Sequence, residues 1–266
     1  MKTTILLILL TITTSISAQT WTQVGQNVYG GGNGFGANVN ATSEDGYTLV
    51  TGTNFPSSGS PNGELRIYTL VCGTWTLKGQ PILGEAFGDR FGRDPDISAN
   101  GNIVSAGAAD HDGNGTNAGH VRVFEFDGVN WIQKGQDIDG VAGDKFGWHT
   151  ELNADGTILA CSSTQNNNVT GKVQVFQFNG LNWIQMGQTI LGENAGDNTG
   201  SSISLNHSGT RLAVNSYLYD GAFTNQGRTK VYEFNGSNWV QFGQDIYGEA
   251  AEDRMSSNYL DSTGLT

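Results

Sequence analysis

Cysteine is scarce in this chain, since only Cys72 and Cys161 occur among its 266 residues. Two cysteines cannot build the framework of several bridges that holds many small secreted domains together. The repeat described below places Cys72 in a turn and Cys161 in the core of a strand, so we expect no disulfide between them. The fold must then be held by burial of apolar side chains.

Charged residues are also few, at 14% of the chain, and the formal net charge is −12. An acidic surface repels phosphate backbones, which argues against nucleic acid as a partner. The chain has 39 glycines and 36% hydrophobic residues. This composition is typical of a turn-rich β protein and differs from that of a disordered chain.

Long hydrophobic runs are absent, because no apolar stretch reaches the about 18 residues that a membrane-spanning helix needs. A shorter apolar stretch follows Lys2 and ends in small residues at Ser17 and Ala18. This pattern predicts a signal peptide over residues 1–18, with an uncleaved anchor as the alternative. Residues 19–266 then form the mature chain, which we expect to be secreted or on the cell surface, without a membrane span.

An internal repeat of 52 to 56 residues covers the mature chain. Each repeat is marked by a tryptophan that is followed by glycines four and nine positions later. The five marker residues are Trp21, Trp75, Trp131, Trp183 and Trp239. Fixed spacing over so many units predicts a repeat architecture in which each unit buries its faces against its neighbours.

Each unit shows four strand patterns and no helical period. In the unit that begins at Phe91, the Asn100-Gly101 pair predicts a tight turn between the first two strands. Residues 121–126 alternate apolar and polar side chains, as a half-buried strand does. We predict an all-β fold, a β-propeller of four-stranded antiparallel blades. About four blades are complete and a fifth begins near Met255, which predicts an open or truncated arc.

The units resemble the FG-GAP repeat of integrin α-subunits and of exported bacterial repeat proteins. The motifs that carry the resemblance are Phe35-Gly36, Phe91-Gly92 and Phe146-Gly147. Each motif is followed by an apolar strand, a glycine turn and a second apolar strand. The resemblance implies a propeller fold and is compatible with either binding or catalysis.

Two departures from this family limit what the resemblance implies. Thr199 and Met255 stand where two of the units would have the phenylalanine. The turn between the first two strands has only about four residues, and it lacks the carboxylates that would surround a calcium ion with six to eight oxygens. The calcium sites of integrin-type repeats are therefore not transferred to these turns.

The loop between the second and third strands is the part of the repeat whose length varies most. Its four copies lie near residues 52–62, 107–118, 162–170 and 215–226. Variable loops on a rigid scaffold commonly form the binding face. We expect four aromatic residues in these loops to contact an extracellular protein or glycan, and they are Phe55, Tyr217, Tyr219 and Phe223.

One of these loops contains a candidate calcium motif. Asp110, Asp112 and Asn114 place oxygens at alternate positions before a glycine, as in the first half of a calcium loop. The bidentate acid expected seven positions after Asn114 is Val121 instead. The two interpretations are a Ca²⁺ site and an ordinary polar loop, and beyond this possible ion we expect no cofactor.

Four aspartates recur two residues before the Phe-Gly position, and they are Asp89, Asp144, Asp197 and Asp253. Radial repetition would arrange them in a ring that could bind cations or a basic partner. The alternative interpretation is that each carboxylate accepts backbone N–H groups of its own turn.

Motifs for catalysis are not apparent in the sequence. The four histidines show no metal-ligand spacing, and no Gly-x-Ser-x-Gly elbow connects a strand to a helix. The leading hypothesis is therefore an exported, noncatalytic binding or adhesion module. The alternatives are a secreted propeller hydrolase or lyase, whose catalytic set would come from several blades, and a purely structural segment of a larger surface protein.

Overall fold

The computed structural model describes residues 22–28, 40–53 and 62–264, with the backbone alone described at residues 166 and 167. The predicted signal peptide over residues 1–18, the marker Trp21 and the motif residue Phe35 lie outside the described residues. Phe55, one of the candidate ligand-binding residues, also lies outside them.

Within these ranges, twenty strands form four antiparallel sheets. Blade 1 contains β1 (Asn40–Thr42), β2 (Thr48–Thr53), β3 (Glu64–Val71), β4 (Thr74–Leu77) and β5 (Ile82–Leu83). Blade 2 contains β6 (Arg93–Ile97), β7 (Ile103–Ala108), β8 (His120–Phe126), β9 (Trp131–Gln133) and β10 (Ile138–Asp139). Blade 3 contains β11 (Thr150–Leu152), β12 (Ile158–Ser163), β13 (Lys172–Phe178), β14 (Trp183–Gln185) and β15 (Ile190–Leu191), with a helical turn α1 (Asn166–Val169) after β12. Blade 4 contains β16 (Thr199–Leu205), β17 (Arg211–Ser216), β18 (Arg228–Phe234), β19 (Trp239–Gln241) and β20 (Ile246–Tyr247).

The outer strand of each blade differs from the sequence-based prediction. The sequence predicts four strands in each blade, but residues 131–139 of blade 2 contain two segments, β9 and β10, which pair separately with β8. The break falls at Gly135, whose φ of 79° is incompatible with a continuous strand. The other blades are interrupted at the corresponding glycine, so each blade has four strand positions and five strand segments.

The repeated tryptophans pack between blades, as the sequence predicts. Trp131 of blade 2 is buried, and its ring Nε1 donates to the Lys78 carbonyl of blade 1 at 2.7 Å. The fixed glycine makes room for it, because a Cβ on Gly79 would lie 2.9 Å from the Trp131 ring. Trp183 and Trp239 repeat this arrangement on the blades before them. The marker positions therefore serve the interfaces between blades.

Among the residues that the structure describes, the hydrophobic core consists of three clusters, each between two neighbouring blades. Phe91 and Phe146, from the Phe-Gly motifs, are almost fully buried within two of them. Cys161 is buried in β12, whereas Cys72 is exposed in a turn, and both are free thiols as expected. Burial of this kind, repeated at each interface, is the main source of stability that the composition allows.

The described blades form an open arc. A chain of backbone hydrogen bonds joins the turn after each first strand to the same turn of the next blade, from Glu44 through Ala99 and Ala154 to His207. At the end of the arc, Gly243 has open space where the other interface glycines meet a tryptophan. Residues 22–28 pack against Trp75 of blade 1 through Gln26 rather than against residues 255–260. Among the described residues, no helix is long and apolar enough to cross a bilayer.

Candidate functional site

One face of the arc combines the loops between second and third strands with the turns that connect successive blades. In blade 2, the amide of Asp110 donates to the Asp89 carbonyl of the preceding turn, and the amide of Lys145 in the following turn donates to Asn117. The same kind of contact joins Leu218 to Asp197 and Arg254 to Asn225 in blade 4. We refer to this surface as the loop face.

Three of the four aromatic residues predicted to bind ligand, Tyr217, Tyr219 and Phe223, lie on the loop face of blade 4. The guanidinium of Arg228 lies 3.8 Å from the centroid of the Tyr219 ring, and that of Arg254 lies 5.9 Å from the centroid of Tyr217. Phe223, at the tip of the loop, is 47% exposed. Tyr217 and Tyr219 are thus half-buried rings that lie near different cations, and Phe223 is more exposed than either. We call Tyr217, Tyr219 and Phe223 the aromatic platform.

The three residues of the candidate calcium motif have separate protein partners. Asp110 forms ion pairs with Arg90 at 2.9 Å and with Lys145 at 3.1 Å. Asp112 accepts the backbone N–H of Asn117 at 2.7 Å, and Asn114 donates its amide to the Gly140 carbonyl at 2.7 Å. These contacts explain the three residues as parts of the loop, and calcium binding at Asp110, Asp112 and Asn114 stays a prediction.

The four repeated aspartates behave as turn residues, in agreement with the second of the two interpretations. In every copy, one carboxylate oxygen accepts the backbone N–H of the residue three positions earlier. The pairs are Asp89 with Ala86, Asp144 with Val141, Asp197 with Asn194 and Asp253 with Ala250. These bonds shape the turns between blades and thereby position the loop face.

Two histidines that share no motif spacing in the sequence meet on the loop face of blade 2. The rings of His111 and His120 stack with centroids 4.0 Å apart and an interplanar angle of 25°. His111 Nδ1 lies 2.9 Å from the buried carboxylate of Asp89. Together with Glu85, the two imidazoles place three potential metal ligands within 4.8 Å of one another. We call Glu85, His111 and His120 the histidine site.

His120 is the first residue of β8 and is fully buried. Within the described residues, neither of its ring nitrogens has a hydrogen-bond partner. Burial, together with the neighbouring His111 and Arg122, lowers the pKa of His120 to about 3. The ring is thus neutral, and its nitrogen lone pair accepts no hydrogen bond. A buried polar atom left unsatisfied in this way normally destabilises the folded state by about 1–3 kcal/mol.

A second cluster lies where the inner strands of the blades converge. A cavity of about 230 Å³ is bordered by Asp96 of β6 and Glu151 of β11. Asp96 accepts the Leu152 backbone N–H at 2.6 Å. Burial raises the pKa of Asp96 and that of Glu151, the nearby Asp94 carboxylate raises both further, and Asp96 also raises the pKa of Glu151. Both residues precede their turn by two positions, so they occupy the same place in successive blades.

Comparison with known proteins identifies the fold and no closer relationship. No protein-family model matches the sequence, and no curated protein matches it, so the resemblance to FG-GAP repeats stays a prediction. Among solved structures, TolB from Acinetobacter baumannii is 12% identical with a TM-score of 0.45, and the alignment covers 76% of this chain and 42% of TolB. A candidate 6-phosphogluconolactonase from Bacteroides uniformis is 12% identical with a TM-score of 0.46, and the alignment covers 79% of this chain and 71% of that protein.

A third structure, a candidate 6-phosphogluconolactonase from Bacteroides fragilis, is 15% identical with a TM-score of 0.50. That alignment covers 83% of this chain but only 59% of the Bacteroides fragilis protein. At such low identity the similarity concerns the fold alone. The described residues form an all-β structure of four propeller blades in an open arc.

Proposed function

We propose that the protein is an exported, noncatalytic binding or adhesion module that holds an extracellular protein or glycan on its loop face. The proposal rests on the aromatic platform of blade 4. Tyrosine rings present a broad apolar surface with a polar tip, and tyrosine and arginine are frequent energetic centres of protein interfaces. The scaffold beneath is fixed by the buried interfaces between blades, so the loops keep their positions when a ligand binds.

The half-buried state of Tyr217 and Tyr219 supports this function. Each ring is held in place by an arginine, Arg254 and Arg228 respectively, so little side-chain freedom would be lost on binding. Phe223 offers an exposed apolar contact at the loop tip. Ordered aromatic contacts of this kind bind with a smaller entropy cost than mobile side chains do.

Screening of the full chain against a glycan array and a panel of purified extracellular matrix proteins tests the proposal. The double variant Tyr217→Ala/Phe223→Ala is expected to lose at least about tenfold in affinity for any ligand found, as removal of interface centres does. Tyr259→Ala is the matched control, because Tyr259 is an 85% exposed tyrosine outside the loops. Absence of binding across both panels, or equal affinity of the double variant, would reject the proposal.

The inner cavity favours one of the alternatives, a propeller hydrolase. Two carboxyl groups with raised pKa values in one cavity are the arrangement that general acid–base catalysis uses. Incubation of the protein with oligosaccharide and lactone libraries, followed by product detection, tests this alternative. Turnover that is abolished in Asp96→Asn and in Glu151→Gln would support it, whereas turnover retained in both variants would exclude this cavity as the site.

A further inference from the structure

We propose that the histidine site binds a divalent transition metal ion of the Zn²⁺ class through His111, His120 and Glu85. This inference is independent of the aromatic platform, which lies on a different blade. Two imidazoles and one carboxylate form a ligand set that suits Zn²⁺ and its neighbours Co²⁺, Ni²⁺ and Cu²⁺. Three protein ligands leave a fourth position open for water or for an external group.

The surroundings of His111 assign the nitrogen that binds the ion. Asp89 accepts a backbone N–H from Ala86 with the same oxygen that lies 2.9 Å from His111 Nδ1. The buried carboxylate is an acceptor, so Nδ1 carries the proton and Nε2 carries the lone pair. A carboxylate on the far nitrogen of a metal-binding histidine fixes its orientation and raises its basicity.

The backbone of Gly113 lies beside this nitrogen. A Cβ on Gly113 would overlap His111 Nε2 and stand about where an ion bound at about 2.0 Å would sit, so the loop must shift at Gly113 when an ion binds. Gly113 belongs to the loop that contains the candidate calcium motif of Asp110, Asp112 and Asn114. This loop contributes His111 to the histidine site, whose imidazole ligands are softer than the oxygen ligands that calcium prefers.

His120 supplies the second nitrogen and the strongest reason to expect an ion. The position after the fixed glycine begins the third strand of every blade, and elsewhere it holds a charged residue with an ion partner. The other three pairs are Glu64 with Arg66 at 2.7 Å, Lys172 with Asp144 at 2.5 Å, and Arg228 with Glu193 at 2.8 Å. At His120 both side-chain nitrogens lack a hydrogen-bond partner among the described residues, whereas at Arg228 only Nε does.

Blade 4 shows how the same three positions are satisfied without a metal. Glu193, Tyr219 and Arg228 correspond in the repeat to Glu85, His111 and His120. There the glutamate binds the guanidinium, and the guanidinium packs on the tyrosine ring. Blade 2 keeps the glutamate, but His111 stands in place of the tyrosine and His120 in place of the arginine. A bound cation would take the place of the guanidinium charge that blade 2 lacks at this position.

Glu85 and the negative charges around it also favour an ion at this site. The Glu85 side chain is 42% exposed, and its contact with Arg122 is long, at 3.3 Å. Its carboxylate can exchange this contact for an ion, and the three ligand atoms, which lie within 4.8 Å of one another, must approach to the about 3.3 Å that tetrahedral bonds of about 2.0 Å require. Asp89 and Asp139 add negative charge beside the site, and Arg122 is the opposing cation.

Calorimetric titration of the full chain with Zn²⁺, after treatment with a chelator, tests the proposal. The key variant is His111→Tyr/His120→Arg, which installs the blade 4 residues and so retains a packing solution that this fold already uses. The control is His207→Gln, since His207 is exposed and lies outside the site. Addition of Co²⁺ to the same proteins provides a second readout, because its visible absorption reports nitrogen and oxygen ligands directly.

We expect the wild-type chain and the His207→Gln control to bind one Zn²⁺ each with the same affinity. The double variant is expected to lose this binding and the Co²⁺ absorption bands, and Glu85→Gln to weaken both. Equal Zn²⁺ binding by the wild type and the double variant would overturn the proposal. So would the absence of Zn²⁺ binding in the wild type, and the stacked histidines would then be a packing contact only.

Discussion

The side chain of Gln80 clasps the backbone of Trp131 across the interface between blades 1 and 2. Its amide donates to the Trp131 carbonyl at 2.9 Å, and its oxygen accepts the Trp131 N–H at 3.0 Å. Gln136 and Gln188 hold the tryptophans of the next two interfaces in the same way. The glutamine of the Gly-Gln pair therefore joins one blade to the next at these three interfaces.

Loss of this clasp is expected to destabilise the fold. Gln80→Ala leaves two backbone groups of Trp131 without partners, which should lower the free energy of unfolding by about 1–3 kcal/mol in urea denaturation. Gln244→Ala is the matched control, because Gln244 occupies the same repeat position at the open end of the arc. A similar loss in both variants would mean that the clasp does not account for the effect.

The open end of the arc can be tested with a pair of glycine substitutions. Gly135 and Gly243 have nearly equal φ angles of 79° and 78°, so alanine carries the same backbone strain at both. A Cβ at Gly135 would lie 2.8 Å from the Trp183 ring, whereas at Gly243 it would meet open space. We expect Gly135→Ala to lower the melting temperature clearly more than Gly243→Ala. Equal effects would indicate that another unit covers Gly243.

The carboxyl groups of the inner cavity predict a dependence of stability on pH. Burial raises the pKa of Asp96 to about 7, so the folded state favours the protonated form. The stabilisation that this carboxyl gives is fully present below the pKa that Asp96 has in the unfolded chain, and it is lost as the pH rises from there through about 7. Asp96→Asn cannot ionise, and it keeps an oxygen for the Leu152 N–H.

Urea denaturation of the wild type and Asp96→Asn at a series of pH values measures this effect. Between about pH 5 and pH 8, the wild type should lose at least about 1.4 kcal/mol more than the variant, the equivalent of one pKa unit. Asp155→Asn, at an exposed turn position, serves as the control for the substitution itself. Parallel pH profiles for wild type and Asp96→Asn would show that this carboxyl is not perturbed.

The second coordination shell of the histidine site provides another test. Asp89→Asn keeps an oxygen for the turn but weakens the orientation of His111, so Zn²⁺ affinity should fall about 10–100-fold. Asp197→Asn is the matched control, because Asp197 makes the same turn contact in blade 4 and no histidine lies beside it. Calorimetric titration compares the two, and an equal effect on Zn²⁺ binding would contradict the role given to Asp89.

The blades could be predicted from the sequence because the same spacing of tryptophan, glycine and alternating strands occurs in every unit. The histidine site could not, because it forms when a hydrogen bond from Gly119 to His111 closes a loop and brings Asp89 of an earlier turn alongside. Its one sequence signal is that His120 stands where other blades have a charged residue. Asp96 and Glu151 share a repeat position, yet only the radial packing of blades brings them together.

We propose that the loops, rather than the repeated residues, carry the function. Replacement of residues 109–118 and 217–226 with Gly/Ser segments of equal length leaves the tryptophan interfaces intact. We predict that this variant still unfolds cooperatively on heating. It should no longer bind the glycans or matrix proteins that the wild type binds on the same panels. Binding of wild-type strength by the loop-replaced protein would contradict the account.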